Sequence, residues 1–161
     1  MIIGIHHTAI STQNMSELTK FYRDVLGFEE VTSGSWEKGT EFADRVTELK
    51  DTAVDWIMLR ASNCYIELFD YRSPRAAARS EVRPVNKPGF THICLEVDNI
   101  MEMYEELSSK GTRFHTKPED HSDAEMGCIA TYARDPDGNV FELVQYEEGN
   151  IESLKRFVKG L

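Results

Sequence analysis

Cysteine is scarce in this chain: Cys64, Cys94 and Cys128 are three, widely spaced, with no C-x-x-C pair. That excludes a disulfide framework and fits free thiols in a reducing compartment, so a cytoplasmic setting is expected. Long apolar runs are missing as well. No segment approaches the ~18 apolar residues needed to cross a bilayer, and no basic segment precedes an apolar stretch at the N-terminus, so neither a membrane span nor a secretory signal is expected. Positive charge is in deficit. Eighteen Lys and Arg stand against 28 Asp and Glu, a formal net charge of −10, which argues against nucleic acid as a partner because phosphates call for a basic surface. What is present is ordinary for a soluble globular chain: 40% hydrophobic and 29% charged residues in 161. That length suits one domain, or two small modules sharing one core.

Histidine is also sparse, at five, yet two stand together in "GIHHTAIST" near the start. Downstream, Asn14 followed three residues later by Glu17 has the spacing of a helix-opening capping box. Met15, Leu18, Tyr22 and Val25 supply one apolar helical face, and Gly27 ends it. The same grammar recurs from Gly89 in "GFTHICLEVDNIMEMYEELSSKG". Asn99 and Glu102 open, Ile100, Met103, Tyr104 and Leu107 form the face, and Gly111 closes. The offset is a constant 85, which lays His7 over His92, His6 over Thr91 and Asn14 over Asn99. A second correspondence at offset 75 lays "NCYIELFDY" over "GNVFELVQY", with Glu67 over Glu142 and Tyr71 over Tyr146. The second copy follows the reversal signal Asp135-Pro136-Asp137-Gly138; Ala61-Ser62-Asn63 is its weaker equivalent. Each copy therefore predicts strand, helix, strand, then two or three strands ending in a hairpin. The difference of ten residues places an insert in the first copy, at "GSWEKGTEFADRVTELKDTA".

Strand alternation separates His6 from His7, and the repeat selects His7 because its counterpart is His92. His6 is expected to be a partly buried neighbour or a donor to it; His115 and His121 are expected to be surface residues. His92, Cys94 and Glu96 share one strand face, with Ile93, Leu95 and Val97 on the other. Glu67 lies between Ile66 and Leu68, and Glu142 between Phe141 and Leu143, so each carboxylate is backed by residues that bury. Taken singly, a strand histidine can be a hydrogen-bonded structural residue and an inward Glu an edge-strand carboxylate. Taken in register, two imidazoles and two carboxylates form a set suited to a divalent metal such as nickel, cobalt, zinc, manganese or iron, provided the two copies pair about a pseudo-twofold.

With "HHTAIST…FYRDVLGFE", "YIELF", "GFTHICLEV" and "RDPDGNVFELVQ" together, the chain resembles the vicinal oxygen chelate superfamily: glyoxalase I, methylmalonyl-CoA epimerase, extradiol dioxygenases, and fosfomycin- or bleomycin-resistance proteins. The resemblance covers about residues 3–146. It implies an α+β fold, a single domain at 1–147 in which two βαβββ modules (about 3–71 and 89–147, joined by a linker at 72–88) form a cupped mixed sheet around a metal cavity. The tail at 148–161 lies outside the match and is expected to add an amphipathic helix with Ile151, Leu154, Phe157 and Val158 on one side. The family's metal ligands carry over to His7, Glu67, His92 and Glu142. Glu at both hairpin positions is most similar to glyoxalase I, which implies a lyase or isomerase that removes a proton next to a carbonyl through a metal-bound enediolate. Glu142 or Glu67 would be the base, with the analogy favouring Glu142. An acyl-CoA epimerase of the methylmalonyl-CoA type, an iron-dependent extradiol dioxygenase and a non-catalytic antibiotic-binding protein are the alternatives.

The expected substrate is a small carbonyl compound. Arg72, Arg75, Arg79, Arg83 and Lys87 face a single acid, Glu81, in the linker, and such a cluster can receive the carboxylate or phosphate of a glutathione or CoA conjugate; a solvated connection is the plainer alternative. Trp56, Tyr65 and Phe69 are candidates for an apolar cavity wall, or for core. Phe42, Val46 and Leu49 predict a short helix in the insert, over the cavity mouth or against a partner. A homodimer is the family expectation.

Overall fold

Alternating apolar residues on the strands and 3.6-residue spacing on the helices produce the same βαβββ unit twice in the structure, a computed structural model that describes residues 1–79, 81–120 and 127–156. The chain divides into two units, Met1–Ser80 and Glu81–Leu161. The first comprises β1 (His7–Thr12), α1 (Met15–Lys20), a π-helical turn (Phe21–Val25), β2 (Glu29–Trp36), α2 (Glu41–Thr47), β3 (Ala53–Arg60) and β4 (Tyr65–Ser73). Its sheet runs β1-β4-β3-β2, with β1 parallel to β4 and the other pairs antiparallel. The second comprises β5 (His92–Glu96), α3 (Ile100–Ser109), β6 (Arg113–Phe114), β7 (Glu119–Asp120), β8 (Cys128–Arg134) and β9 (Val140–Tyr146). Its order is β5-β9-β8-β6, and β7 pairs with β8 beyond β6, so two short strands stand where the first unit has β2.

Register is conserved between the units. His7 lies opposite Tyr65 and Ala9 opposite Glu67; His92 lies opposite Val140 and Cys94 opposite Glu142. Across the hairpins Met58 faces Glu67 and Tyr132 faces Glu142. Both offsets of the sequence repeat therefore survive in the pairing. The second hairpin turn is the better built: buried Asp135 accepts from the backbone N–H groups of Asp137 (3.0 Å) and Asn139 (2.8 Å) and from the Asn139 side chain (2.8 Å).

The core of each unit lies between helix and sheet. Leu18, Phe21 and Tyr22 bury with Leu59, Ile66 and Leu68, and Ile100 and Leu107 with Ala133, Phe141 and Leu143. Three local details differ from the sequence expectation. At α3 the Asn99 cap forms, its Oδ1 accepting from the Glu102 N–H at 3.2 Å, but Glu102 Oε2 accepts from the Asn99 side-chain Nδ2 in place of the backbone bond of a full capping box. The Asn14 side chain makes no such bond; its backbone N–H donates to Thr12 Oγ1 (2.9 Å), and Glu17 pairs with Lys20 instead. The first helix widens into its π-helical turn, Leu26 N–H donating to Phe21 O, before Gly27 ends it at φ +77°. That wider turn brings Phe21 and Tyr22 into the core together.

The tail forms a single 3-10 turn, Leu154–Arg156, with Ile151 exposed; Phe157 and Val158 lie outside the described residues. A polar clasp fastens it: Glu96 accepts from Ser153 Oγ (2.5 Å) and Leu154 N–H (2.6 Å), and Lys155 pairs with Asp98 (2.5 Å). The insert helix forms as expected, but Phe42 and Val46 on its apolar face are exposed. Among the described residues no helix is long and apolar enough to cross a membrane.

Candidate functional site

Each unit brings one of the predicted imidazoles to its predicted carboxylate. Ile66 and Leu68 bury on the helix side of β4, which turns Glu67 to the other face beside β1, and His7 Nε2 lies 3.2 Å from Glu67 Oε2. Phe141 and Leu143 do the same for Glu142, whose Oε2 lies 3.1 Å from His92 Nε2. The far nitrogen is also occupied in both. His7 Nδ1 meets His6 Nδ1 at 2.9 Å, and His92 Nδ1 meets Thr91 Oγ1 at 2.8 Å. His6 is exposed rather than partly buried. It precedes β1, so strand alternation does not constrain it, and its ring stacks on Tyr65 (centroids 4.9 Å, 21°) while standing edge-on to His7 (5.1 Å, 89°).

The donor chemistry of each pair fits a divalent cation. Nitrogen and oxygen ligands at about 2.1 Å on adjacent corners of an octahedron are about 3.0 Å apart, close to the separations found in both pairs. Among the described residues no group of three or more His, Cys, Asp or Glu side chains comes together as a metal site.

The face of the first sheet that carries Glu67 is aromatic. Trp56 lies opposite Phe69 in the β3–β4 ladder, Tyr65 and Tyr71 follow the same alternation on β4, and Phe69 packs between Trp36 (6.1 Å) and Tyr71 (6.0 Å). The three predicted wall residues, Trp56, Tyr65 and Phe69, therefore share the Glu67 face, each half-buried. Gly34 lies opposite Trp56, and a Cβ there would come within 2.8 Å of Trp56 Cζ2, so the indole lies over bare backbone. The equivalent face of the second sheet carries smaller side chains, with Cys94, Ala130, Val140 and Val144 around Glu142 and with Tyr132 and Tyr146 as its aromatic groups; the Tyr132 ring sits 4.9 Å from His92.

Burial raises the Tyr71 phenol, with Glu67 adding to it, and raises that of Tyr132, with Glu142 adding to it. Cys94 keeps an exposed surface, yet loss of hydration around its sulfur and then Glu142 push its thiol up to about 12, and Cys64 and Cys128 are raised as well, first by burial. All three sulfurs are thus neutral thiols near pH 7, which speaks against cysteine nucleophilic catalysis.

The arginines of the linker divide differently from the sequence picture of a free basic cluster. Arg72 pairs with Glu37 (2.7 Å) and Asp55 (2.9 Å), and Arg75 pairs with Asp70 and donates to the carbonyl oxygens of Tyr71 and Gln13. Arg83 donates to the carbonyl oxygens of Lys87, Pro88 and Phe90. These guanidiniums fasten the end of β4 and the following loop, and Arg79 also has an interaction partner. His115 is exposed, as expected; its pKa is lowered, first by burial and then by Arg134 and Arg113. His121 lies outside the described residues.

Two residues at the pairs were not singled out by sequence. Thr91 was legible, since the 85-residue offset lays it over His6. Tyr132 was not, because its counterpart Met58 shares none of its chemistry.

Fold and paired donors define a class, and comparison with known proteins states it. The chain belongs to the Glyoxalase/Bleomycin resistance protein/Dioxygenase superfamily, whose family model matches residues 4–143. A virulence protein of Salmonella typhimurium is 26% identical over 148 residues, covering 91% of this chain and 87% of that protein. The lactoylglutathione lyase of Schizosaccharomyces pombe is 28% identical over 148 residues, 89% of this chain but only 48% of the lyase. A mouse mitochondrial methylmalonyl-CoA epimerase is 24% identical over 109 residues, 68% of this chain and 54% of the epimerase. Among solved structures, a glyoxalase family protein of Bacillus cereus superposes with a TM-score of 0.79 at 22% identity, covering 90% of this chain and 95% of its own. A variant of the Listeria monocytogenes fosfomycin resistance protein, solved with Mn(II) and a dihydroxypropylphosphonic acid, superposes at 0.59 and 16% identity over 92% of this chain and 96% of its own.

Proposed function

We propose that this protein is a metal-dependent lyase or isomerase of the glyoxalase I type, moving a proton at the carbon next to a carbonyl of a small substrate. The observation that supports it is the matched geometry of the two pairs: an imidazole Nε2 and a carboxylate Oε2 at 3.2 and 3.1 Å, in the same register of two equivalent sheets. His7, Glu67, His92 and Glu142 would hold one divalent cation per chain, nickel, cobalt, zinc, manganese or iron. When bound, the cation supplies Lewis acidity to the carbonyl oxygen.

The chain's own groups do the rest. A carboxylate takes the carbon-bound proton on Oε and returns it to the neighbouring carbon; Glu142 is the favoured base, with Glu67 the alternative. The aromatic face around Trp56, Tyr65 and Phe69 lies beside Glu67 and suits an apolar portion of the substrate while keeping water from the reacting carbon. A glutathione or CoA conjugate is the proposed substrate class, consistent with the names of the lyase and epimerase relatives. A cytoplasmic homodimer is part of the same proposal, and sedimentation reads the oligomeric state.

The test couples metal content with proton transfer. Protein purified without chelator is expected to carry about one nickel, cobalt, zinc or manganese per chain and to exchange the proton adjacent to the substrate carbonyl with solvent deuterium. Glu142→Gln and Glu67→Gln are made separately. Turnover surviving in both removes the carboxylate base from the mechanism, and predominant iron with oxygen uptake replaces it by a dioxygenase.

A further inference from the structure

On β8, Thr131 and Ala133 are buried on the helix side, while Ala130, Tyr132 and Arg134, on the face that carries Glu142, are half-buried. Alternation puts Cys128 on this second face, yet it is only 7% exposed. The cover is the segment that follows β9. Its start lies beside Gly127, whose carbonyl oxygen accepts from Glu147 N–H (3.1 Å) and from Asn150 Nδ2 (3.3 Å). Tyr146, on the Glu142 face, donates its hydroxyl to Glu152 Oε2 at 3.2 Å, and the Glu152 carboxylate also acts on the Cys128 thiol. The segment ends at Glu96, which accepts from Ser153 Oγ (2.5 Å) and Leu154 N–H (2.6 Å). By alternation Glu96 projects from the same face of β5 as His92.

The chain therefore crosses the second sheet from β8 over β9 to β5, on the face of the candidate site. Glu96 lies opposite Val144, and Cys94 opposite Glu142, so the far end of the crossing stands one same-face step beyond Glu142, about 6.6–6.8 Å along the strand. Its hold is polar. Ser153 is buried, but Ile151 is 82% exposed, the turn Leu154–Arg156 has three residues, and the remaining fastening joins exposed Lys155 to exposed Asp98. Segments with few buried apolar contacts are those that open locally while the rest of the fold stays intact. The Glu96 carboxylate, bonded to two consecutive residues, is the strongest of these fastenings.

We infer that residues 147–154 are a strap that closes the Glu96 end of the Glu142 face, and that its latch on Glu96 limits how far a bound substrate extends in that direction. The limit rests on the proposed reaction; the cover does not. Cys128 reports the cover without metal or substrate. In a Cys64→Ser, Cys94→Ser protein, labelling of Cys128 by dithionitrobenzoate is expected to be slow. Glu96→Ala is expected to accelerate it about tenfold or more, as loss of a hydrogen bond to a charged group allows, with the β8–β9 amides still protected from hydrogen exchange. Ser153→Ala, which leaves the sheet untouched, is expected to act in the same direction. Acetohydroxamate and octanohydroxamate, which share a chelating head, then read the limit on Co(II)-loaded protein. Their affinity ratio is expected to shift about tenfold toward the longer probe in Glu96→Ala, as burial of two further methylenes supplies. Cys128 labelled as fast in the protein with Glu96 as in either variant, or labelled only when the β8–β9 amides exchange, overturns the strap. A faster Cys128 with an unshifted ratio overturns the limit. If wild type binds neither hydroxamate, the metal reading fails and takes the limit with it, while the Cys128 rates still decide the cover.

Discussion

Gly34 offers the sharpest test of how the Glu67 face is built. Its backbone does not adopt a positive φ, so alanine is conformationally acceptable there. In a strand interior the exchange of glycine for alanine is ordinarily stabilising by about 0.4–1 kcal/mol, because it restricts the unfolded chain. The neighbour reverses that sign. A Cβ at position 34 would lie 2.8 Å from Trp56 Cζ2, 3.0 Å from Cε2 and 3.1 Å from Nε1. Three contacts onto one rigid ring cannot be relieved by rotating a chain end; the indole as a whole has to move. Overpacking of this kind costs about 1–3 kcal/mol.

Gly34→Ala is therefore expected to destabilise by about 0–2.6 kcal/mol net, taking the gain and the cost together. In a Trp56→Leu background, with the ring gone, the same change is expected to stabilise by about 0.4–1 kcal/mol. Urea unfolding of the four proteins closes a double-mutant cycle whose coupling term is about 1–3 kcal/mol. Absolute losses in the Trp56→Leu proteins cancel in that difference. A coupling near zero would show that the indole does not lie over Gly34, and with it would go the account of how Trp56 is placed on the Glu67 face.

Other outcomes follow from single observations. Asp135→Ala removes a buried carboxylate that accepts from two backbone N–H groups and from Asn139; the loss is expected to be about 2–4 kcal/mol by urea unfolding, and a loss below 1 kcal/mol would mean the turn does not depend on it. Leu143→Ala, at a side chain 1% exposed beside Glu142, is expected to cost about 2–5 kcal/mol. Hydrogen bonds from Thr52 and Asp51 hold the Asp44 carboxyl below its ordinary value of 3.8. A depressed carboxylate contributes stability above its unfolded pKa and loses it as pH falls through the folded one. The gap in urea midpoint between wild type and Asp44→Asn should hold near neutrality and close below pH ~4; a gap unchanged at pH ~2.5 contradicts it. With all three thiols raised, labelling by a disulfide reagent at pH ~7.5 should accelerate more than tenfold on unfolding in urea, and rapid labelling of the native protein argues against neutral thiols.

The fold was legible because two kinds of spacing agree. A helical period between matched Asn and Gly residues, and a strand period around Glu67 and Glu142, each occur twice at fixed offsets, and the observed registers keep both offsets. Local chemistry was harder to foresee, because identical sequence signals met different neighbours. Asn14 and Asn99 carry the same capping pattern, yet Thr12 lies two residues before Asn14 and takes its N–H, where the equivalent residue, Val97, has no hydroxyl to offer. Arg72 could be counted with an anion-receiving cluster because its partners, Glu37 and Asp55, lie 35 and 17 residues away, a separation that no local pattern reports, whereas Arg75 and Arg83 are held by groups within seven residues. The tail looked amphipathic, but the carboxylate of Glu96, on the face of β5 that also carries His92, reaches Ser153 and Leu154 first. The repeat carries the scaffold twice; what differs between the copies lies in side chains one contact removed from it. His6 and Thr91 belong to that second group: unlike in chemistry, each meets Nδ1 of the histidine that follows it.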